Sequence, residues 1–447
     1  MYRLFAITAF LLSIASPAFA QTDQAAAVTA TAAEEPFAFA DFTWVPGNSR
    51  THTSPLTLGD IFTGEFRADV AYHYSFAAPK DNTIVGSSEV FRHNEIQVTQ
   101  LGLGGDFHYK NVQGRVMTQF GQYSMTTPRN DASPSRGQWD LANAYRYVSE
   151  AYGGYHFDLL KGVNLQAGIF MSYVGLWSYY NADNWTYQPS YVSSNTPWFF
   201  NGMRAQIFVT NKLKIEPWLV NGFQAYGKFN DGFGGGGQIM WNPTGWFSFT
   251  GNQYYGTDTL GNANRKRIHT DDSIKVKYYD NQDSFISKAA ASFTFDAGCE
   301  WGDGQVGCDT QYFIGAMAYN RLWFNHDHFG LTTGGGAITN PGRYLVLVPP
   351  INGATASTGA SPFFTANPGD KFTAWDMQVT ADWMPEEFIT FRLEYNHRWA
   401  SVPYFAGSGG VTPPGGNTGA PGSAVEGWSP DLRQTEDRMT LALLVKM

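Results

Sequence analysis

Hydrophobic and polar residues alternate with a period of two along much of this chain. The clearest segment runs from Phe388 to Trp399, where apolar side chains occupy one face and Thr390, Arg392 and Glu394 lie on the other. The same alternation marks residues 66–75, 163–171, 203–209 and 375–383. A helix would instead repeat every 3.6 residues, and we find no convincing repeat of that kind. The pattern therefore predicts an all-β protein.

Turn residues divide the alternating segments into about sixteen strands of a length that spans a bilayer when tilted. The predicted strands cover residues 64–76, 94–107, 112–122, 144–157, 162–173, 198–209, 213–221, 234–242, 246–255, 267–279, 284–296, 311–324, 328–333, 372–384, 388–399 and 436–447.

The connections between these strands alternate between tight and long. Tight connections include Lys110-Asn111 and Asn211-Lys212, and long ones include 77–93, 174–197 and 400–435. A soluble β-sandwich also alternates apolar and polar residues, but short turns at one end and long loops at the other are typical of outer-membrane barrels. We therefore predict a transmembrane, antiparallel, up-and-down β-barrel with short periplasmic turns and long extracellular loops. In hydrocarbon, only a closed barrel gives the backbone N–H and C=O groups of every strand a hydrogen-bond partner.

The N-terminus has the organisation of a secretory signal peptide. Arg3 precedes an apolar stretch, residues 4–14, and Ala18-Phe19-Ala20 forms a cleavage site. The apolar stretch is too short to span a bilayer, so we expect residues 1–20 to be removed. Residues 21–62 are then a periplasmic N-terminal tail, or a short plug inserted into the lumen, and residues 63–447 form the barrel.

Composition excludes several classes of protein. The chain has 29 Lys and Arg residues against 38 Asp and Glu residues, with no basic cluster, which argues against a nucleic-acid partner. Aromatic residues reach 16% and charged residues only 15%, yet no long uncharged apolar segment follows the leader. No transmembrane helix is therefore predicted. The mean hydropathy of −0.29 fits a barrel that averages two opposite faces.

A barrel of about sixteen strands encloses an aqueous channel, so the predicted function is diffusion of small polar solutes. The inward face would carry charges that either pair across strands and hold register or sort solutes by charge, and we expect most to pair. The predicted pore-lining residues are Arg67, Asp69, Arg115, Arg146, Glu150, Arg204, Glu216, Lys275, Lys277, Lys288, Asp376, Arg392, Glu394 and Arg398.

Several segments resemble the OmpL-like β-barrel porin family. They are Asp41-Phe42-Thr43-Trp44, Val90-Phe91-Arg92-His93-Asn94-Glu95, Ser149-Glu150-Ala151-Tyr152-Gly153-Gly154-Tyr155, Pro197-Trp198-Phe199-Phe200-Asn201-Gly202 and Asn340-Pro341-Gly342-Arg343-Tyr344. The resemblance covers nearly the whole mature chain and implies an outer-membrane porin. It assigns no substrate and no catalytic residue.

One long loop is rich in aromatic residues, and its position between the fifth and sixth strands is similar to that of the constriction loop of general porins. Its aromatics are Trp177, Tyr179, Tyr180, Trp185, Tyr187 and Tyr191. Stacked aromatic rings suit sugars, so a saccharide-selective channel is an alternative function. Packing at the membrane interface or between subunits is another interpretation of this cluster.

The two cysteines, Cys299 and Cys308, are predicted to form a disulfide in the oxidising cell envelope. Metal binding would need two more soft ligands, and none is apparent. His326-Asp327-His328 and His269 with Asp271 and Asp272 are the best catalytic candidates. The first group lies in a predicted tight turn, and the second begins a strand with no serine in a nucleophile elbow, so a barrel enzyme or a surface receptor is less favoured. No cofactor is predicted.

The expected partners are outer-membrane lipid, small polar solutes and the barrel assembly machinery. That machinery usually recognises a terminal aromatic residue, whereas this chain ends in Met447 after an alternating apolar face that includes Leu441 and Leu443. A homotrimer is expected by analogy with sixteen-stranded porins.

Overall fold

The computed structural model describes residues 35–87, 89–341, 344, 371–418 and 423–447. The predicted signal peptide, residues 21–34 and the central part of the loop around residues 345–370 lie outside the described residues.

Sixteen long strands form one antiparallel sheet within the described residues. They are β1 (Phe62–Ser75), β2 (Glu95–Tyr109), β3 (Val112–Thr118), β4 (Val148–Phe157), β5 (Val163–Met171), β6 (Phe199–Thr210), β7 (Leu213–Val220), β8 (Gly234–Thr244), β9 (Phe247–Gly256), β10 (Lys266–Asp280), β11 (Ile286–Trp301), β12 (Tyr312–Phe324), β13 (Phe329–Thr339), β14 (Thr373–Glu386), β15 (Ile389–Ala400) and β16 (Thr435–Lys446).

The sheet closes on itself. Each strand pairs with its neighbours in sequence, and β16 pairs with β1 through registers such as Leu443 with Val70 and Val445 with Ala68. The two-residue strand Thr57–Leu58 adds a short pairing to β1, and Phe405–Ala406 pairs with Leu432–Arg433 outside the barrel sheet. Closure removes unpaired strand edges, as a hydrocarbon environment requires. The prediction of an antiparallel up-and-down barrel is confirmed.

The alternating sequence becomes an alternation of burial. On β14, Trp375, Val379 and Trp383 are exposed on the outside, while Asp376 and Asp382 between them are at most 4% exposed. Successive side chains of a strand point to opposite faces, so one apolar face meets lipid and one polar face meets the interior. The barrel is thus apolar outside and polar inside.

Turns of a few residues join the strands at one end, which we call the short-turn end, and longer loops join them at the long-loop end. The long loops contain the helices α1 (Tyr123–Thr126), α2 (Leu141–Tyr145) and α3 (Tyr191–Ser194) and the 3-10 turns Thr127–Asn130, Ser133–Ser135 and Asn181–Asp183. Among the described residues, no helix is long and apolar enough to cross a bilayer.

Some predicted strand boundaries were wrong. The fourth strand begins at Val148 rather than at residue 144, because Asp140 caps α2 by accepting a hydrogen bond from the backbone of Asn143 (2.9 Å). The thirteenth strand continues through the glycines 334–336, which had been assigned to a loop. A Cβ atom at Gly334 would lie 2.4 Å from the Tyr319 ring, and one at Gly336 would lie 2.5 Å from Ser190 Oγ, so these two glycines make room for interior side chains.

Candidate functional site

The interior of the barrel is the candidate site, and ion pairs organise one part of it. Asp382 on β14 accepts hydrogen bonds from Nε of Arg392 (2.7 Å) and Nη1 of Arg321 (2.8 Å). Arg321 lies on β12 and reaches across β13 at Gly330, where a Cβ atom would lie 2.4 Å from its Nη2. All three charged side chains are at most 4% exposed. Loss of Asp382 would leave two arginines buried without that carboxylate.

A second ion cluster lies on the inner face of β1 to β4. Arg115 contacts Glu65 (2.8 Å), Asp106 (2.7 Å) and Glu150 (3.0 Å). Arg67 also pairs with Glu65, and its guanidinium contacts Asp183 in the loop between β5 and β6 (3.1 Å). Charges on these strands therefore bind one another across the sheet.

The loop between β5 and β6, residues 172–198, lies inside the barrel, and we call it the inner loop. Glu394 on β15 accepts a hydrogen bond from the backbone of Gln188 (2.9 Å), and Asp376 on β14 accepts one from the backbone of Tyr191 (2.6 Å). The Tyr180 hydroxyl donates to Glu150 on β4 (2.7 Å). These contacts attach the inner loop to the wall formed by β14, β15 and the first strands.

The six aromatic side chains predicted for a constriction loop are all on the inner loop and are at most 5% exposed. They pack against the wall and against one another, as in the contact of Trp177 with Tyr319, whose ring centroids are 4.8 Å apart. The structure thus brings this cluster into the barrel interior. Its action as a constriction stays a prediction.

An N-terminal segment, residues 35–58, crosses the short-turn end, and we call it the strap. Trp44 is 1% exposed; its indole donates to the carbonyl of Gly245 (3.2 Å), and its own carbonyl accepts from Trp185 of the inner loop (3.1 Å). Burial, and then the nearby Arg321 guanidinium, lower the pKa of Arg50 to about 10. Arg50 nevertheless stays charged at neutral pH and donates to the carbonyl of Glu386 (2.8 Å).

The turn between β14 and β15 holds the far end of the strap. The Glu387 carboxylate accepts hydrogen bonds from the Thr53 hydroxyl and from the backbone of His52 (2.7 Å). These two hydrogen bonds lower the pKa of Glu387 from its usual value. The strap is therefore fixed at its middle by Trp44 and at its end by a carboxylate in the solvent-exposed turn.

Two cavities remain beside these segments. One, of about 280 Å³, lies at the short-turn end between the strap and the turns before β13 and β15, where Arg50, His52 and His328 line it. The other, of about 180 Å³, lies between the inner loop, residues 45–48 of the strap and the inner wall of β8 to β10. Gln238, Ser248, Thr250 and Lys275 line this second cavity, which we call the wall cavity.

Unpaired polar atoms lie along the same wall. Within the described part of the chain, Asn242 Oδ1, Thr244 Oγ1, Asp271 Oδ2 and Ser292 Oγ are buried without a hydrogen-bond partner. Lys275 donates to Thr250 Oγ1 (2.7 Å) at the same wall. Buried polar atoms are nearly always hydrogen-bonded, to protein or to ordered water. The inner wall of β8 to β11 therefore has hydrogen-bonding capacity that other described residues of the protein do not use.

Of the fourteen predicted pore-lining residues, all but Arg146 lie on strands. Arg146 follows α2 in a long loop instead, because the helix replaces the start of the predicted fourth strand. Lys277 and Lys288 lie near the short-turn end, where they pair with Asp280 (2.5 Å) and Asp327 (2.6 Å). Most of the others are held in ion pairs or hydrogen bonds of the kinds described above.

Several interior residues are not among the predicted pore-lining residues. Arg321, Asp382 and Arg438 occupy inward positions on strands that had been identified, so the two-residue period already contained the signal. Trp44 had no such signal, because no alternation surrounds it.

The predicted disulfide is confirmed: Cys299 at the end of β11 is bonded to Cys308 in the following loop. The described residues contain no group of three or more His, Cys, Asp or Glu side chains placed to hold a metal ion. His326 and His328 lie in the tight turn before β13, and His269 faces the interior beside Asp296 (2.8 Å).

Comparison with known proteins gives the family. The family model described as "Putative beta-barrel porin-2, OmpL-like" matches residues 66–420. No curated protein sequence matches the chain.

Solved structures with the same kind of fold have little sequence in common with this chain. An anion-selective porin from Comamonas acidovorans is 8% identical, covers 86% of this chain and 99% of its own, and has a TM-score of 0.49. OmpT of Vibrio cholerae is 9% identical over 88% of this chain and 100% of its own, with a TM-score of 0.48. The outer membrane channel DcaP of Acinetobacter baumannii is 11% identical over 90% of this chain and 100% of its own, with a TM-score of 0.46.

The family match covers most of the chain and agrees with the closed barrel, its apolar exterior and its polar interior. The chain therefore belongs to the OmpL-like β-barrel porin-2 family and is a protein of the bacterial outer membrane.

Proposed function

We propose that small polar solutes cross the outer membrane through this barrel along the inner wall of β8 to β11. The observation that carries the proposal is the row of unpaired buried polar atoms on this wall, which includes Asn242 Oδ1 and Asp271 Oδ2, next to the wall cavity. A passage must exchange hydrogen bonds with a moving solute and its water, and groups already saturated by the protein cannot do so.

In the opposite part of the interior, carboxylates bind the inner loop and arginines. There, Asp376 and Glu394 use their carboxylates to hold the inner loop, and Asp382 is saturated by two arginines. These carboxylates stabilise the interior, and the buried atoms without a hydrogen-bond partner among the described residues on this side belong to other residues, such as Asn396 and Arg398. Family and fold favour a channel over an enzyme.

The direct test is current recording from the purified full chain in a planar bilayer. We expect a steady ohmic conductance, and the absence of any current would overturn the proposed function. A Phe249→Trp variant is the matched control for insertion, since Phe249 is on the outer face of β9, next to Ser248 of the wall cavity.

We further propose that the strap acts as a plug that narrows the short-turn end. Trp44 is buried between the β8–β9 turn and the inner loop, so the strap occupies space that a solute would otherwise use. Deleting residues 21–55 should raise the single-channel conductance several-fold. Deleting only residues 21–34 is the control and should leave the conductance close to wild type, whereas equal conductance in both deletions would rule out the plug.

A second candidate function is selective passage of saccharides. The wall cavity combines hydroxyl and amide side chains, Ser248, Thr250 and Gln238, with the aromatic rings of Tyr173 and Tyr179. Hydroxyl and amide groups can bond sugar hydroxyls, and aromatic rings can pack on the apolar faces of sugar rings. Maltose added to the bilayer chamber should then reduce the ion current, and Thr250→Val should weaken this block. If maltose does not reduce the current, saccharide selectivity is ruled out and the less selective porin remains.

Partners follow from the same proposal. Lipid would cover the outer face, and the barrel assembly machinery would recognise β16, whose outer side carries Leu441 and Leu443. We also propose self-association, with a homotrimer as the expected form.

A further inference from the structure

Three polar side chains face outward near the midpoints of β9 and β10. Gln253 donates to the Thr270 hydroxyl, and Thr270 donates to Asp272 Oδ2 (2.8 Å). Gln253 and Thr270 are direct cross-strand partners, and Asp272 is the seventh residue of the 15-residue β10. We call these three residues the outer polar cluster.

The outer polar cluster is unfavourable if lipid tails cover it. Hydrocarbon offers no hydrogen-bond donor to Asp272, and charged residues on the lipid side of a barrel cost most near the bilayer centre. The Asp272 carboxylate has no ion pair among the described residues, and Thr270 supplies its side-chain hydrogen bond. A polar partner near the middle of the membrane would therefore stabilise the cluster.

A shallow groove lies on the same outer face, next to the cluster. Ala291, Asn320 and Thr333 are cross-strand neighbours at one level of β11, β12 and β13, and they line a groove of about 460 Å³. Ile274 and Phe293 border it. Small side chains on a membrane-facing surface allow another protein backbone to approach closely.

The outer face of β14 to β16 is different. Near its strand midpoints it presents Val379, Leu393 and Leu441, which are 38 to 54% exposed. These side chains are fully satisfied by lipid. The polar cluster and the groove thus distinguish one side of the barrel from the other.

We propose that the outer face of β9 to β13 contacts a second copy of this chain in the membrane. The outer polar cluster contains both donors, on Gln253, and acceptors, on Asp272, so it can bond the same groups of another copy. The groove leaves room for the wall of the second barrel to approach closely. The inference rests on the membrane insertion contained in the proposed function, and it is independent of whether the barrel conducts.

Cysteine cross-linking tests the location of the contact. Both native cysteines are in the Cys299–Cys308 disulfide, so an introduced cysteine is the only free thiol. In outer-membrane vesicles, a short bis-maleimide should link Thr333→Cys chains into dimers but should not link Leu441→Cys chains. Gly153→Cys, on the outer face of β4, tests another wall with small residues. Dimers from Leu441→Cys or Gly153→Cys without dimers from Thr333→Cys would overturn the proposal.

Two substitutions at one position test the role of the cluster. Asp272→Leu should weaken association roughly tenfold, whereas Asp272→Asn, which keeps the hydrogen-bonding shape, should weaken it less. The readout is the oligomer fraction on unheated gels, and the heat-dependent mobility of the monomer shows that the barrel has folded. An unchanged oligomer fraction in Asp272→Leu would mean that lipid covers the cluster and would overturn the proposal.

A conductance recording on the same samples separates this proposal from the proposed function. Loss of oligomers with unchanged current per barrel would support the contact surface and leave the channel intact. Stable oligomers without current would reject the channel and leave the contact surface intact.

Discussion

The two halves of the barrel interior differ in how their polar side chains contact the inner loop. Along β14, β15 and the first strands, Asp382 and Glu394 are saturated by arginines and by the backbone of the inner loop. Along β8 to β11, Asn242 and Ser292 keep buried oxygen atoms without a partner in the described structure. One side therefore binds the inner loop through carboxylates, and on the other side the wall cavity lies between the inner loop and part of the wall.

The largest expected effect on stability comes from removing the Asp382 carboxylate. Asp382→Ala leaves Arg321 and Arg392 buried without their shared carboxylate, so the free energy of unfolding should fall by about 3–5 kcal/mol. Urea unfolding in lipid, followed by tryptophan fluorescence, measures the change. Ser292→Ala on the other side removes a hydroxyl that has no partner and should change stability by about 0.5 kcal/mol or less. Equal losses in the two variants would contradict the division of the interior.

A bulky residue in the wall cavity should reduce the conductance of the channel and leave its stability nearly unchanged. Ser248 is 2% exposed and lines the wall cavity, so Ser248→Trp should fill much of that space and reduce single-channel conductance by more than half. Phe249→Trp, one residue away on the outer face, should leave the conductance at its wild-type value. Wild-type conductance in Ser248→Trp would place the passage elsewhere.

The smallest effect concerns pH at the strap. Hydrogen bonds from Thr53 and His52 lower the pKa of Glu387 below its usual value of 4.5, so the anchor is fully present above that pH and is lost as the pH falls through the lowered pKa. Acidification below about 4.5 should then increase conductance, since release of the strap opens the short-turn end.

Two variants of that turn check the interpretation. Glu387→Gln cannot ionise, so its conductance should change less on acidification than that of the wild type. Glu386→Gln alters the neighbouring carboxyl side chain and should keep the wild-type response. A full acid response in Glu387→Gln would assign the effect to another group.

The fold could be predicted because a single rule applies along the whole barrel. Apolar and polar positions alternate along β14 and β15, and Asp376 and Arg392 lie at buried positions of that alternation. Departures from the rule were local. Tyr145 belongs to a capped helix, and Gly336 lies in a strand, where the Ser190 side chain approaches it to a distance that a Cβ atom would not allow.

The interior contacts could not be predicted in the same way. Arg321 and Asp382 are on strands separated by β13, and their contact depends on register and on the missing side chain of Gly330. Trp44 is followed by no periodic segment, and its burial depends on the shape of the short-turn end. Such contacts join parts of the chain that are distant in sequence, and no local pattern encodes them.

The pairing of β16 with β1 has a consequence for biogenesis. Val445 and Lys446 complete the sheet against Ala68 and Arg67, so the first strand has no partner on that side until the last residues of the chain have been exported. Contacts so far apart in sequence form slowly, and an unpaired strand edge promotes aggregation. A truncation that removes only β16 should therefore leave β1 with an unpaired edge and yield a product that is degraded before it reaches the membrane.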